Sequence, residues 1–312
     1  MQIREVDPAR DVPALVALAH EVSSWAVTSP AAWLHRHRTV PERARRSAIV
    51  AEVDGRVVGK VESRLDFFTN DGKGTCRLAV TAAQRRQGIG AALFDAAYAH
   101  LAAAGATRVT ADFDENDAGV SFALARGFRE SRAETVSAVD PRTVDLPVGA
   151  EVQPVTDVEP RIVHRLDIVA TRDVPVDGTI EDIGYDEWVT HVLDHPLFSA
   201  PGSFVAFADG EPAALSLLLA DPATGRGLNV FTGTLPEYRG RGLAAAVKIA
   251  TARWAAANGI TRIATTNDEQ NAAMLAVNRR LGYRPVARRV EYVRTVTPAG
   301  TSSAPAPPGP AR

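Results

Sequence analysis

Two short loops carry the residue types that most strongly suggest chemistry in this chain of 312 residues. Aligned on their glycines, the loops read Arg85-x-x-Gly88-x-Gly90 and Arg239-x-x-Gly242-x-Ala244, and each lies between a predicted strand and an alanine-rich helix. Glycine lets an anion approach the backbone, and the first helical turn offers unpaired N–H donors with partial positive charge. Arginine adds charge-assisted hydrogen bonds. Each loop therefore predicts a site for a pyrophosphate or another polyanion.

The loop sequences narrow the kind of phosphate site. Neither loop contains the G-x-x-x-x-G-K-[ST] pattern of a P-loop. The segment 240–245 fits the G-x-G-x-x-A pattern of dinucleotide-binding proteins, but the first loop has Arg86 where that pattern needs glycine. A nicotinamide-binding enzyme is therefore the more distant alternative.

The two loops belong to an internal duplication. Trp33 recurs as Trp188, and the turn Asp54-Gly55 recurs as Asp209-Gly210, in both cases 155 residues later. A spacing held at several landmarks predicts two copies of one domain. The predicted organisation is a first copy (1–138), a linker (139–150), a second copy (151–296) and a disordered tail rich in Pro, Ala and Ser (297–312).

Each copy predicts the same order of elements, β-α-α-β-β-β-α-β-α-β. The Asp-Gly dipeptides predict hairpins, because such turns need positive φ. Further strands are predicted at 76–80 and 107–113, and in the second copy at 229–234 and 261–267. Hairpin strands followed by helix-connected strands are typical of an α+β fold. Two tandem domains follow, each a mixed, mostly antiparallel sheet flanked by helices.

Composition excludes several classes of function. Hydrophobic residues make up 46% and charged residues 23%, and the net charge is −2, which argues against a nucleic-acid partner. No apolar run could span a bilayer, and the first residues lack a signal core, so we expect a cytoplasmic protein without a membrane partner. The basic run 35–46 is interpreted as a solvated surface, with an anion site as the alternative. No pattern indicates an oligomeric state.

Longer segments around the loops resemble the GNAT N-acetyltransferase superfamily. These are LAVTAAQRRQGIGAAL with DENDAGVSFALARGF, and GTLPEYRGRGLAAAVK with NDEQNAAMLAVNRRLGY. The second copy is similar to tandem GNAT acetyltransferases of actinobacteria, and the two-copy architecture is similar to that of mycothiol synthase. The resemblance implies acetyl-CoA as acyl donor, with its pyrophosphate on the loop and its pantetheine beside the preceding strand, and a small-molecule amine as acceptor. The implied cofactor contacts are Leu78, Val80, Arg85, Arg86, Gln87, Gly88, Ile89, Gly90, Ala91, Thr232, Thr234, Arg239, Gly240, Arg241, Gly242, Leu243, Ala244, Asn271 and Asn278.

The resemblance also bears on catalysis. Many family members place a tyrosine seven residues after the Asn that opens the last helix, but Ala123 and Asn278 occupy that position here. Alanine donates nothing, whereas an asparagine amide can donate a hydrogen bond. We therefore predict that the second copy is catalytic, with Asn278, Thr234 and His191 as candidates. The alternative is a catalytically silent CoA-binding sensor or scaffold.

Other reactive residue types have simpler interpretations. The candidate bases of the first copy are Glu62 in the hairpin and the acidic residues of 112–117. The acidic cluster 112–117 is interpreted as a solvated strand end. His191 and His195 have the spacing of a metal pair, but the Glu of H-E-x-x-H is absent, so no metal is predicted. Cys76 is interpreted as a buried small residue, and the two repeated tryptophans as core aromatics.

Overall fold

The computed structural model describes residues 1–69, 71–172 and 182–296, so the predicted tail lies outside the described residues. Both copies have the predicted order of elements. The first copy contains β1 (Gln2–Glu5), α1 (Pro8–Val22), α2 (Pro30–Thr39), β2 (Ser47–Val53), β3 (Arg56–Leu65), β4 (Lys73–Val80), α3 (Ile89–Ala103), β5 (Arg108–Asp114), α4 (Asp117–Leu124) and β6 (Arg129–Val139).

The second copy repeats this series. It contains β7 (Glu151–Pro154), α5 (Pro160–Thr171), α6 (Tyr185–Trp188), β8 (Phe204–Ala208), β9 (Glu211–Asp221), β10 (Arg226–Thr234), α7 (Leu243–Ala257), β11 (Arg262–Asp268), α8 (Ala272–Arg280) and β12 (Arg284–Thr295). Helix α6 continues into a π-helical turn, Val189–Leu193. The four strands predicted at 76–80, 107–113, 229–234 and 261–267 are confirmed to within one residue or lie inside longer strands.

Local sequence explains where the hairpins turn and where several helices begin. Asp54 and Asp209 both have positive φ, 48° and 55°, and each is followed by a glycine with positive φ, as the two-residue hairpin turn requires. The side chain of Asn116 accepts from Gly119 N at the start of α4, and the side chain of Asn271 accepts from Met274 N at the start of α8. These side-chain caps satisfy N–H groups that a helix leaves unpaired.

The twelve strands form one sheet in which the two copies exchange their last strands. The order is β1-β2-β3-β4-β5-β12-β6-β11-β10-β9-β8-β7. Strand β12 of the second copy pairs antiparallel with β5 of the first, and β6 of the first copy pairs antiparallel with β11 of the second. Among the strands of the described residues, only β4–β5 and β10–β11 are parallel pairs, so the predicted mixed, mostly antiparallel sheet is confirmed.

Each parallel pair separates after a few residues. In the first copy, Lys73–Thr75 pair with Arg108–Thr110. Beyond these residues the two strands no longer pair with each other, and they end at Val80 and Asp114. In the second copy, pairing is limited to residues 226–228 and 262–264. Separation of two strands leaves backbone groups without sheet partners and opens a wedge between them. The sheet thus contains one wedge per copy.

The core lies where the helices cover the sheet. Trp33 is 3% and Trp188 0% exposed, so both repeated tryptophans are confirmed as core residues. The linker also packs: Val144 is buried in a cluster with Leu218, Ile249 and Ile263 of the second copy. Among residues 1–69, 71–172 and 182–296, no helix is both long and apolar enough to cross a membrane.

Candidate functional site

A cavity of about 840 Å³ occupies the wedge of the first copy. Its walls include the unpaired ends of β4 and β5, together with Gly88 and Gly90 of the first loop. The second copy closes its far side through Leu228, Val230 and Thr266. Because β12 lies beside β5, Arg289 of the second copy also lines the cavity. The cavity therefore connects the predicted anion-binding loop to a polar end at the junction of the copies.

The first loop has the backbone geometry that an anion site needs. Gly88 is the N-cap of α3, with φ of 81°, and no side chain caps the helix there. A Cβ at Gly88 would meet nothing within 4 Å, so the glycine is needed for its conformation and not for space. The guanidinium of Arg85 is anchored by a hydrogen bond from Nε to Val80 O, 3.2 Å. The uncapped amides of α3 are thus left for a ligand.

The second loop has the same backbone. Gly242 caps α7 with φ of 81°, and Arg239 Nε donates to Thr234 O at 3.3 Å. Gly240 has φ of 76°, and the matching Arg86 of the first loop has φ of 65°. The loop conformation therefore requires positive φ at this position in both copies, and this explains the glycine at 240. Arg86 adopts the same conformation at a cost of roughly 1–2 kcal/mol.

Arg241 of the second loop is committed to a partner within the protein. Its guanidinium forms two hydrogen bonds to the Asp209 carboxylate, 2.6 and 2.9 Å, and lies 5.7 Å from the Tyr238 ring centroid. An anion would compete with Asp209 for this arginine.

Glu62 is not free to act as a base. Its carboxylate accepts hydrogen bonds from Trp33 Nε1 (3.1 Å) and Arg46 (3.2 Å), and Lys60 Nζ lies 3.4 Å away. Burial opposes ionisation, but Lys60, Arg46 and the Trp33 hydrogen bond outweigh it, so the pKa of Glu62 falls to about 2. Glu62 is a fixed negative charge.

Asp114 is a carboxylate of the cavity with a buried oxygen that accepts no hydrogen bond. Its Oδ2 accepts from Trp25 Nε1 at 2.8 Å, whereas its Oδ1 is buried and has no hydrogen-bond partner, the Arg289 guanidinium being 3.7 Å away. Burial raises the pKa of Asp114. Asp112 instead forms ion pairs with Arg289 and Arg77. The solvated strand end predicted from the sequence is therefore wrong for Asp114.

The basic run 35–46 is also more than a solvated surface. The Arg46 side chain is only 13% exposed and pairs with Glu62. Arg36 lines the cavity, where Nη2 donates to Thr28 Oγ1 at 3.1 Å. Surrounding protein lowers the pKa of Arg36, although its surface is exposed to the cavity. The interpretation as a solvated surface is wrong for Arg46, whereas Arg36 is exposed and lines the cavity.

The second copy carries polar residues where the first has apolar ones. Phe94, Val80 and Ala123 of the first copy correspond to Lys248, Thr234 and Asn278 of the second. Phe94 packs against Phe128 with the ring centroids 5.7 Å apart, and Lys248 takes the same place over the ring of Tyr283, 4.8 Å from its centroid.

Lys248 anchors a buried polar network inside the second wedge. The lysine is 2% exposed, and its Nζ donates to Asn229 Oδ1 at 2.5 Å. Burial lowers the pKa of Lys248 to about 7. The Asn229 amide in turn donates to Ser216 Oγ (2.8 Å), and Asn229 Oδ1 also accepts from Thr232 Oγ1 (2.8 Å). The second wedge is thus occupied by its own side chains.

The residues predicted to be catalytic lie in three different settings. Asn278 is 1% exposed and donates to Asn267 Oδ1 at 2.7 Å. The other polar atom of Asn278 (Oδ1) and the hydroxyl of Thr234 are buried without partners. His191 lies at the contact between the copies, where its ring is 5.5 Å from Phe67, and it is not among the residues that line the cavity. Their catalytic roles stay predictions.

The cofactor contacts predicted for the two copies are placed differently. Those of the first copy that line the cavity are Leu78, Val80, Arg85, Arg86, Gly88, Gly90 and Ala91. Gln87 is exposed outside it, and the Ile89 side chain is buried in the core. None of the contacts predicted in the second copy lines this cavity, and Asn271 is committed to capping α8.

Several residues that complete the cavity come from elsewhere in the chain and were not predicted from the sequence. Trp25, Arg36, Arg126 and Arg289 all line it. Arg289 had no signal in the sequence, because only the strand exchange brings it to β5. Cys76 is confirmed as a buried residue, and burial raises its pKa to about 12. In the described part of the chain, no group of three or more His, Cys, Asp or Glu residues could hold a metal ion.

Comparison with known families gives two matching regions. The model of the acetyltransferase (GNAT) family matches residues 13–128 and again residues 174–283. The two matches cover most of both copies, including the two loops. A search of curated proteins found no match to this chain.

Solved structures share the two-copy fold. A GCN5-related N-acetyltransferase from Sphaerobacter thermophilus is similar with a TM-score of 0.71 and 16% identity, over 94% of this chain and 95% of that one. A tandem GNAT protein from the clavulanic acid biosynthesis pathway is similar with a TM-score of 0.71 and 21% identity, over 96% and 99%. At these identities the likeness shows the fold alone.

Proposed function

The chain belongs to the acetyltransferase (GNAT) family, and from this premise we propose that it transfers an acetyl group from acetyl-CoA to the amine of a small molecule. Proteins of this family use acyl-CoA. We assign the reaction to the first copy, whereas the sequence favoured the second. The observation that carries this assignment is the cavity, which joins the uncapped N-terminus of α3 to Asp114 within the first wedge.

The first loop supplies the cofactor end of the proposed site. Free amides of α3 and the guanidinium groups of Arg85 and Arg86 suit the pyrophosphate of CoA. The pantetheine arm would lie between the separated ends of β4 and β5, where the backbone lacks sheet partners. Alternate N–H groups of β4 beyond Thr75 face this wedge, and one of them suits the thioester oxygen as it gains negative charge.

Asp114 is the proposed general base. Acetyl transfer forms a bond from the amine nitrogen to the thioester carbon and breaks the bond from that carbon to sulfur. The nitrogen loses a proton, and the departing thiolate gains one. Asp114 Oδ1 has no hydrogen-bond partner, and burial raises the pKa of the carboxyl, so this group can accept the proton. No tyrosine stands at position 123, and the proton that Asp114 accepts therefore passes through water in the cavity to the thiolate, which restores the carboxylate.

The second copy serves in this proposal as a structural partner. Its strand β12 completes the sheet beside β5, and Val230 and Arg289 close the cavity. Its own wedge contains Lys248, Asn229 and Asn278, which are only 2%, 3% and 1% exposed. A silent CoA-binding sensor or scaffold is the alternative function.

A matched pair of variants tests the assignment. Gly88→Glu and Gly242→Glu place the same side chain at the same φ, with nothing within 4 Å of either Cβ, so their backbone costs are equal. We expect calorimetric titration to show that acetyl-CoA binding is lost in Gly88→Glu and kept in Gly242→Glu. Thermal unfolding checks that both variants are folded.

Two results would contradict the proposal. Binding lost only in Gly242→Glu would move the site to the second copy. If acetyl-CoA binds to the wild-type protein but none of the amines tested causes release of the CoA thiol, the sensor alternative is favoured.

A further inference from the structure

Four carboxylates line the cavity, and each of them lies within 4.0 Å of a cationic side chain. Glu62 pairs with Arg46 and Lys60, Asp112 pairs with Arg289 and Arg77, and Glu134 pairs with Arg132 at 2.8 Å. Asp114 has the longest ion-pair distance of the four, 3.7 Å from Arg289 to Oδ1, and this oxygen is buried without a hydrogen-bond partner. Buried polar atoms are normally hydrogen-bonded, so a buried carboxylate oxygen without a donor beside a cavity marks a place for a donor from a ligand.

Among the cavity arginines without an ion pair in the described part of the chain, which are Arg36, Arg85, Arg86 and Arg126, only Arg36 is hydrogen-bonded to the loop between α1 and α2. Among the described residues, Arg36 forms no ion pair within 4.0 Å, and its one hydrogen bond goes to the neutral hydroxyl of Thr28. Arg36 is an exposed residue and lines the cavity. A guanidinium presents a planar set of donors that matches a carboxylate or a phosphate.

The loop between α1 and α2 holds the Asp114 carboxylate and the Arg36 guanidinium. Trp25 donates to Asp114, and Thr28 accepts from Arg36. Three residues of extended chain span at most about 10 Å. The Asp114 carboxylate and the Arg36 guanidinium are therefore hydrogen-bonded to nearby residues of one loop, and no ion pair within 4.0 Å joins the two groups to each other. A small molecule with one charge of each sign would complement them both.

We propose that the acceptor is a small zwitterion, whose amine binds Asp114 and whose anionic group, a carboxylate or a phosphonate, binds Arg36. This inference rests on the proposed function, because it takes the first copy as the site of transfer. Asp114 holds the ammonium first and then accepts its proton, while Arg36 fixes the distance of the nitrogen from the thioester. Arg36 is a substrate-binding residue and takes no part in bond making.

The test compares amines of similar size with and without the anion. Acetylation of β-alanine, 2-aminoethylphosphonate and propylamine is measured as kcat and KM with acetyl-CoA in excess. We expect at least one of the two zwitterions to exceed propylamine in kcat/KM by about 10- to 100-fold, the range of a hydrogen-bonded charge. The better of the two identifies the anion.

Variants at Arg36 separate binding from structure. In Arg36→Met the ratio of kcat/KM for the zwitterion to kcat/KM for propylamine should fall towards one, mainly because KM for the zwitterion rises. Arg36→Lys should restore part of this ratio. Arg38→Met is the matched control, because Arg38 is exposed on the same helix and does not line the cavity. Equal loss for all three amines in Arg36→Met would overturn the inference.

Failure of the inference differs from failure of the proposed function. If acetyl-CoA binds at the first loop and propylamine is acetylated as well as the zwitterions, the acceptor class is wrong and the function stands. If the first copy binds no acetyl-CoA, or no amine is acetylated, the proposed function is wrong and the inference falls with it.

Discussion

Replacement of Lys248 by methionine should remove most of one pH dependence from the stability of the protein. The lysine is fully buried, and burial lowers its pKa to about 7 from the ordinary 10.5. Because the folded protein releases this proton more easily, the unfolded chain binds more protons between these two pH values. The free energy of unfolding therefore rises with pH in this range, and this contribution is lost as the pH falls towards 7.

The magnitude follows from the two pKa values. The slope approaches about 1.4 kcal/mol per pH unit and is half as steep at the folded pKa, so the gain between pH 7 and pH 9 is about 2 kcal/mol. Methionine has no such proton. The Asn229 Oδ1 that Lys248 contacts keeps its hydrogen bond from Thr232. Lys248→Met should therefore be more stable than wild type at pH 7, and the difference should shrink by about 2 kcal/mol at pH 9.

Urea unfolding of both proteins at pH 7, 8 and 9 measures this difference, because every other titrating group cancels between them. If the free energy of unfolding changed with pH by the same amount in both proteins, the reasoning would be refuted, because the amine would then keep its ordinary pKa. The same variant also tests the assignment of the reaction to the first copy, since Lys248 lies outside the proposed site. We expect its rate of acetyl transfer to match that of wild type.

Four further predictions follow from single contacts. Trp25→Phe removes the hydrogen bond to Asp114 Oδ2, and this loss raises the pKa of the proposed base. The acid limb of the plot of kcat/KM against pH should therefore move to higher pH, and an unmoved limb would exclude Asp114 as the base. Arg86→Gly relieves a left-handed arginine and should keep the melting temperature while acetyl-CoA binds more weakly by calorimetry; unchanged affinity would remove Arg86 from the site. Thr234→Val deletes a buried hydroxyl without a partner and should stabilise the protein by about 1 kcal/mol in urea unfolding, and a loss would reveal a partner. Residues 1–150 expressed alone lack β12 beside β5, so circular dichroism should show a folded first copy only when residues 151–312 are co-expressed.

Much of the fold could be predicted because it repeats. The order of elements in each copy and the two hairpins follow from local signals such as Asp54-Gly55 and from helix caps. The loops were equally readable, since a glycine after a strand and before a helix has a meaning within a few residues. Even the glycine at 240 follows from local backbone conformation, although only the structure gives its φ of 76°.

The choice of copy could not be read in the same way. Counting from the helix caps identified Ala123 and Asn278 correctly, but polarity at position 278 was interpreted as chemistry. The structure shows Asn278 bonded to Asn267 and shut off from solvent. Whether a polar side chain faces a ligand or another side chain depends on what lies across the wedge, and that neighbour comes from a distant part of the chain.

The sequence by itself determined the duplicated α+β plan, the two loops and the family they resemble, because these depend on residues close together in the chain. The tertiary structure alone decided which wedge is open and which residues complete it. Arg289 reaches Asp112 across more than 170 residues of chain because β12 pairs with β5. The lack of a hydrogen bond to Asp114 Oδ1 and of an ion pair at Arg36 likewise depends on where every other charge finds its partner, and burial and pairing are properties of the folded chain as a whole.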